Sequence, residues 1–230
     1  MSVRFVAALV LVTVCNMSCF RGSSASVAPA SAAANSEKAS TAGSDKPSAK
    51  SNQVVGSVPG NAAANGPVVV MLSSVDQHEW PPQSEKPVMD QISQTFTPPL
   101  LFVRTGAPVE FRNSDGELHN INVKDENTRA QAFNVAIPTG EIFSYTFDHD
   151  GFYHVACDIH PAMAAEIVSA STPFLTTAGD EGRFLFDDVP AGSYLVTAFA
   201  GGTKLSQDVK VGSGVTEVRL VENSKQDAKQ

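Results

Sequence analysis

Short segments in which apolar and polar residues alternate, separated by turn residues, constrain the fold of this chain most. In Glu141–Phe147, three aromatic residues alternate with Ile142, Ser144 and Thr146. Alternation with a period of two is typical of a half-buried β-strand. Comparable segments recur up to Ser169, and no long segment has the 3.6-residue period of a helix. The sequence therefore predicts an all-β chain, built as an antiparallel sandwich or barrel.

Composition and turn signals divide the chain into five parts. They are a signal peptide at residues 1–19, a disordered Ala/Ser-rich linker at 20–66, a first β-domain at 67–171, a second small β-sandwich at 172–222 and a polar tail at 223–230. The linker carries almost no large apolar side chains, so burial cannot offset the entropy of ordering it. The second sandwich repeats the pattern of short strands and turns on a smaller scale.

The N-terminus is typical of an exported protein. Arg4 precedes the apolar stretch Phe5–Val14, which is too short to span a bilayer. Ser18 before Cys19 fits a bacterial lipoprotein signal, in which lipid on Cys19 would tether the chain to a membrane. Cleavage near Ala25, which gives a free protein, is the alternative. We expect a periplasmic or outer-surface location in either case.

Net charge and cysteine usage narrow the class of protein. The formal charge is −8 and there is no cluster of lysine or arginine, so we expect no nucleic-acid binding. Cleavage at or after Cys19 leaves Cys157 as the one cysteine of the folded part. Exported proteins usually pair their cysteines. A metal-bound thiolate explains an unpaired one, and a buried, inert thiol is the alternative.

A constellation of metal-ligand residues surrounds this cysteine. Cys157, His160 and Met163 have the spacing C-x-x-H-x-x-M at the end of a strand-like run. His119 begins another predicted strand, after the turn Asn113–Gly116. Two imidazoles, a thiolate and a distant thioether are the ligand set of a blue-copper electron-transfer site. Each residue alone has an ordinary structural explanation, and it is their combination that predicts copper.

Residues 67–169 resemble a cupredoxin of the amicyanin or plastocyanin type. The resemblance rests on Cys157–Met163, which reads C-x-x-H-P-x-M, on the approach to it from Gly151, and on Val109–Asn120. It implies a Greek-key β-sandwich that holds one type 1 copper ion. The implied strong ligands are His119, Cys157 and His160, with Met163 as the weak axial ligand and Asn120 as the residue that ties the ligand loops together.

The second sandwich has a resemblance of its own. Asp180–Ala198 is similar to the carboxypeptidase regulatory-like, or transthyretin-like, fold. This implies a packing or interaction domain without catalytic activity. A cupredoxin followed by such a domain resembles the methylamine-utilisation-type proteins.

These resemblances imply an exported one-electron carrier that meets its protein redox partners transiently. Pro161, Ala162 and Ala164 around His160 would form a small apolar patch for such short-lived contacts. We expect no enzymatic activity, because the sequence has no second cluster of histidines of the kind that copper oxidases and nitrite reductases need. Two alternatives remain: a copper storage or delivery protein without electron transfer, and a β-sandwich interaction protein without metal.

Overall fold

A computed structural model describes residues 51–60, 66–76 and 78–221 of the chain. These all fall within the unit Pro47–Gln230. The predicted signal peptide with Cys19, most of the predicted linker and the polar tail lie outside the described residues. Apart from a 3-10 turn at Asp180–Gly182, the described elements are strands, which confirms the all-β class. None of the described residues forms a helix of the length and apolarity needed to cross a membrane.

The strands, in chain order, are β1 (Gln53–Ser57), β2 (Val69–Ser74), β3 (Val88–Ile92), β4 (Thr95–Thr97), β5 (Leu100–Arg104), β6 (Pro108–Asn113), β7 (His119–Asp125), β8 (Gln131–Ile137), β9 (Ile142–Thr146), β10 (Gly151–Ala156), β11 (Ala164–Ala170), β12 (Leu175–Thr177), β13 (Arg183–Phe186), β14 (Gly192–Ala200), β15 (Thr203–Val211) and β16 (Val215–Arg219). They form two separate sandwiches. The central sandwich contains β3 to β11, and the flanking sandwich contains β1, β2 and β12 to β16.

The central sandwich packs a five-stranded sheet on a four-stranded one. The strand orders are β5-β11-β10-β7-β8 and β4-β3-β6-β9. Met89 and Phe111 of the smaller sheet share one buried core with Ile121, Val155 and Ile167 of the larger. The alternation predicted for Glu141–Phe147 is confirmed, because its three aromatic residues pack towards this core while the residues between them are exposed.

The chain changes sheets at two consecutive prolines. β4 pairs with β3 in the smaller sheet, whereas β5 pairs in parallel with β11 in the larger one. Pro98 and Pro99 lie between them and have no N–H to continue a ladder. The apolar run from Phe96 to Val103 is therefore two strands in different sheets.

The flanking sandwich contains two strands that the sequence reading assigned elsewhere. Its sheets have the orders β12-β2-β14-β15 and β13-β1-β16. β1 lies inside the predicted linker 20–66, and β2 inside the predicted first domain 67–171, so both boundaries are wrong. The apolar run at 69–74 predicts burial but not its partner, because it pairs with residues 194–199 far along the chain. β1 is short and lies among polar residues, so its valines do not stand out in the sequence as a buried strand.

The two sandwiches contact each other near the N-terminal end of β10. Phe152, the second residue of β10, packs against Phe199 of β14 with ring centroids 4.7 Å apart. Arg104 donates a hydrogen bond of 2.8 Å to the carbonyl of Ser171 in the link between the sandwiches. The last residue of β10, Ala156, lies at the opposite end of that strand. The flanking sandwich thus contacts the half of β10 that is remote from Cys157.

Candidate metal centre

Three donor side chains meet at one end of the central sandwich. His119 is the first residue of β7, and Cys157 follows the last residue of β10. β7 and β10 are antiparallel neighbours in which Ala156 pairs with Asn122. This register carries Cys157 back along β7 towards its start. His160 lies in the short loop that joins β10 to β11.

The donor atoms have separations that suit a single metal ion. The Nδ1 atoms of His119 and His160 are 2.9 Å apart. The sulfur of Cys157 lies 4.0 Å from Nδ1 of His119 and 3.8 Å from Nδ1 of His160. Bonds of about 2.0 Å to nitrogen and about 2.3 Å to sulfur place donor atoms about 3 to 4 Å apart around one ion such as zinc. The residues therefore fit a bound metal of this class.

The loop between β10 and β11 is closed by its own backbone. The N–H of Cys157 donates to the carbonyl of Met163 at 3.2 Å, and the N–H of Met163 donates to the carbonyl of His160 at 2.9 Å. Cys157, Met163 and His119 are 3%, 1% and 0% exposed. Met163 is thus buried at the end of the loop that carries Cys157 and His160, whereas the His160 side chain keeps 22% of its surface exposed.

A carboxylate lies beside the second ring nitrogen, Nε2, of each imidazole. Nε2 of His119 lies 3.0 Å from Asp115, and Nε2 of His160 lies 3.3 Å from Glu117. A carboxylate accepts, so it favours the tautomer with the proton on Nε2. In a neutral ring the Nδ1 lone pair is then free. Two such lone pairs, facing each other at 2.9 Å, would be stabilised by a cation bound between them.

Asp115 is itself held by a strained turn. It accepts backbone N–H bonds from Ser93 at 2.9 Å and Gln94 at 2.7 Å. Both residues have a positive φ, of 52° and 55°, in the two-residue turn between β3 and β4. Such turns favour glycine or asparagine, and the carboxylate satisfies the amides that the unusual conformation presents. Gln94 first, then the His119 ring and Ser93, hold the pKa of Asp115 below its ordinary value.

Asn120 connects the two ligand segments. Its Oδ1 accepts the N–H of Asp158 at 2.7 Å and lies 3.3 Å from the sulfur of Cys157. Its Nδ2 donates to the Asp158 carboxylate at 3.0 Å. Hydrogen bonds from Asn122, Asn134 and Asn120 hold the pKa of Asp158 below its ordinary value.

The structure brings together the predicted donors His119, Cys157 and His160 and places Asn120 between their segments. The other three histidines of the chain, His78, His149 and His154, are exposed.

Sequence reasoning missed the carboxylates Asp115, Glu117 and Asp158 and the amides Asn122 and Asn134. The sequence pattern assigns Asp115 only to a turn. A usable signal was present, because a metal-bound histidine almost always donates its second N–H to a nearby acceptor.

The part of the chain that holds this centre matches a known family. Residues 86–169 match the sequence model of the copper binding proteins of the plastocyanin/azurin family. They form a cupredoxin domain. This domain contains the three donors, Met163 and Asn120, and leaves out every strand of the flanking sandwich.

Solved structures also resemble the chain. A Cu(I) amicyanin variant is 24% identical, with 36% of this chain and 81% of that chain covered and a TM-score of 0.34. A reduced amicyanin variant is 23% identical, with 44% and 97% covered and a TM-score of 0.34. A copper-containing nitrite reductase from Thermus scotoductus SA-01 is 24% identical, with 44% of this chain but 26% of that chain covered and a TM-score of 0.35. No curated protein matches the chain.

Proposed function

We propose that the protein is an exported type 1 copper protein, without enzymatic activity, that carries single electrons between protein redox partners. The observation that carries this proposal is the approach of two Nδ1 atoms and one cysteine sulfur within 4.8 Å of one another, inside the cupredoxin domain. Two imidazoles and a thiolate suit both oxidation states of copper. Met163 is the proposed weak fourth ligand.

A bound copper ion supplies the Cu(I)/Cu(II) couple. The chain's part is to hold the donors still, so that little moves when an electron arrives or leaves. His119 is fixed by the ladders of β7 with β8 and β10, and Cys157 by the hydrogen bonds of its loop. Asn120 joins the two. No covalent bond of the protein changes: one electron arrives from a reduced partner and the same electron leaves to an oxidised one.

The edge of His160 is the proposed site of electron entry and exit. It is the donor side chain with a substantial exposed surface. Ile159 and Leu118 beside the ligands are 47% and 50% exposed, and Pro161 and Ala162 are exposed as well. This apolar rim suits a small, short-lived contact. The contact of Phe152 with Phe199 of the flanking sandwich lies towards the other end of β10, away from this exposed edge.

The remaining assignments concern the ends of the chain. We propose that residues 1–19 direct export to the periplasm or outer surface and that lipid on Cys19 can serve as a tether. We also propose that the flanking sandwich is a carboxypeptidase regulatory-like interaction domain without catalytic activity. Asp180–Ala198 supports this through its sequence resemblance.

Copper addition to the full chain tests the central proposal. With Cu(II), we expect an intense visible band from the thiolate, lost in Cys157→Ser and in His160→Gln. His154→Gln is the matched control, because His154 is an exposed histidine on the adjoining strand, and it should keep the band. Copper uptake without the visible band would contradict the proposed type 1 copper site.

Electron transfer needs a separate measurement. Ascorbate should bleach the band, and hexacyanoferrate(III) should restore it, in repeated cycles with one electron per protein. A protein that takes up Cu(I) and is not reoxidised would instead favour the storage or delivery alternative.

A further inference from the structure

Asp158 follows the cysteine donor directly, and its carboxylate is surrounded by side-chain amides. Asn120 and Asn134 donate to its Oδ2 at 3.0 and 2.8 Å, and Asn122 donates to its Oδ1 at 3.0 Å. Two of these amides come from β7 and one from β8. In the described part of the chain no salt bridge reaches Asp158, so amide dipoles make its direct contacts and the positive charge of Lys124 acts on it only from beyond salt-bridge distance.

One amide group separates this charge from the donor sulfur. The Oδ1 of Asn120 is 3.3 Å from the sulfur of Cys157, and its Nδ2 is 3.0 Å from the Asp158 carboxylate. Asn120 is 7% exposed and Cys157 3%, whereas Asp158 itself is exposed, so solvent reaches the carboxylate from outside but not the path through Asn120 to the sulfur. A negative charge at this range stabilises the more positive state of a metal site by Coulomb attraction.

We propose that Asp158 is a positioning residue that lowers the reduction potential of the site, with Asn120, Asn122 and Asn134 holding its carboxylate in place. This inference rests on the proposed function as a copper electron carrier. The carboxylate favours the oxidised site. The amides fix its position relative to Cys157 and, with the positive ends of their dipoles, weaken its field without cancelling it.

Redox titration of the visible band in the full chain tests this role. Asp158→Asn should raise the equilibrium constant for reduction of the site roughly tenfold. For one electron this corresponds to a reduction potential that is higher by about 59 mV. Asp208→Asn is the matched control, because it removes the same charge from an exposed position in β15 of the flanking sandwich. Equal potentials for Asp158→Asn and Asp208→Asn would overturn the proposal.

Two further variants separate charge from loop structure. Asp158→Glu retains the charge and should keep a potential close to that of the unaltered protein. Asn122→Ala removes one amide dipole, retains the carboxylate and should leave the potential unchanged or lower. If Asp158→Glu or Asn122→Ala raises the potential as far as Asp158→Asn does, a loosened loop explains the effect and the charge does not.

Different results would contradict the proposed function and the proposed role of Asp158. An unaltered full chain without a reversible visible band contradicts the copper electron carrier. A normal band with the same potential in Asp158→Asn and Asp208→Asn contradicts the role of Asp158 alone.

Discussion

The Nδ1 atoms of His119 and His160 face each other at 2.9 Å, and the far nitrogen of each ring lies beside a carboxylate. The pair is thus arranged so that both Nδ1 atoms can face one bound ion. Asp115 and Glu117 come from a single segment, four and two residues before His119 respectively. One loop therefore orients both imidazoles, although His160 lies far away in the sequence.

The two carboxylates should contribute unequally to metal binding. Asp115→Asn should weaken copper affinity by about 10- to 100-fold, because the partner of a metal-bound histidine fixes its tautomer and ring orientation. Glu117→Gln should cost less, since the Glu117 side chain is 60% exposed while that of Asp115 is 19% exposed. Competition with a chelator of known affinity measures both, with Asp208→Asn as the charge control. A larger loss in Glu117→Gln than in Asp115→Asn would contradict this ranking.

The clustering of His119, Cys157 and His160 was predictable because these residues are local in the sequence or carry a chemical signature. C-x-x-H-x-x-M puts Cys157, His160 and Met163 in one loop, and His119 opens an alternating strand after a turn. The predicted burial of these residues and the lack of a pairing partner for Cys157 can both be inferred without knowledge of the fold. The support around these residues was not predictable, because Asn122, Asn134 and Asp158 meet only through the pairing of β7 with β8 and β10.

The same distinction holds for the fold. Alternation along Glu141–Phe147 predicts which face is buried, since that depends on the strand alone. It does not predict which sheet a strand enters. β1 and β2 were misassigned because their partners lie more than a hundred residues further along the chain.

Asp125 should make the stability of the metal-free protein depend on pH. Its Oδ1 accepts the N–H groups of Thr128 at 2.7 Å and Asn127 at 2.9 Å, which closes the loop after β7. The bond from Thr128 is the main reason that the pKa of Asp125 lies below its ordinary 3.8. A lowered carboxyl pKa contributes stability that is present above the unfolded value and lost as pH falls through the folded one.

Asp125→Ala should therefore destabilise the metal-free full chain by about 1 kcal/mol at neutral pH. The difference from the unaltered protein should shrink as pH falls below about 4. Thermal unfolding followed by circular dichroism from pH 7 to pH 3 measures it, with Asp208→Ala as the control. A difference that stays constant over this range would show that the carboxylate charge is not involved.

Gly56 tests the placement of β1 in the flanking sandwich. A Cβ on this residue would meet the ring of Phe184 and would lie 2.6 Å from the carbonyl oxygen of Val218. Gly56→Ala should therefore destabilise the flanking sandwich by about 1 to 3 kcal/mol. Gly60→Ala is the matched control, because a Cβ there meets nothing within 4 Å.

The single tryptophan of the chain reports this change. Trp80 packs edge-on against Phe174, with ring centroids 5.1 Å apart, beside the flanking core. Its fluorescence should reveal a lower unfolding temperature in Gly56→Ala, while the copper band of the cupredoxin domain persists. An unchanged tryptophan transition would mean that β1 does not pack as described.

A chain that begins at residue 67 should retain the copper band but lose a stable flanking sandwich. It lacks β1, which pairs with β13 on one side and with β16 on the other. It also lacks Val54 and Val58, which are 0% and 4% exposed. Burying a valine side chain contributes about 1.5 to 3 kcal/mol, so the loss is large for a small domain. The cupredoxin domain has a separate core and should hold its ligands in place.

A chain that begins at residue 51 is the matched control, because it retains β1. In thermal unfolding the two chains should differ in the Trp80 transition and agree in the loss of the visible band. Coincident tryptophan transitions would restore the boundary that the sequence predicted at residue 67. A visible band lost only in the shorter chain would instead mean that the copper centre depends on the flanking sandwich.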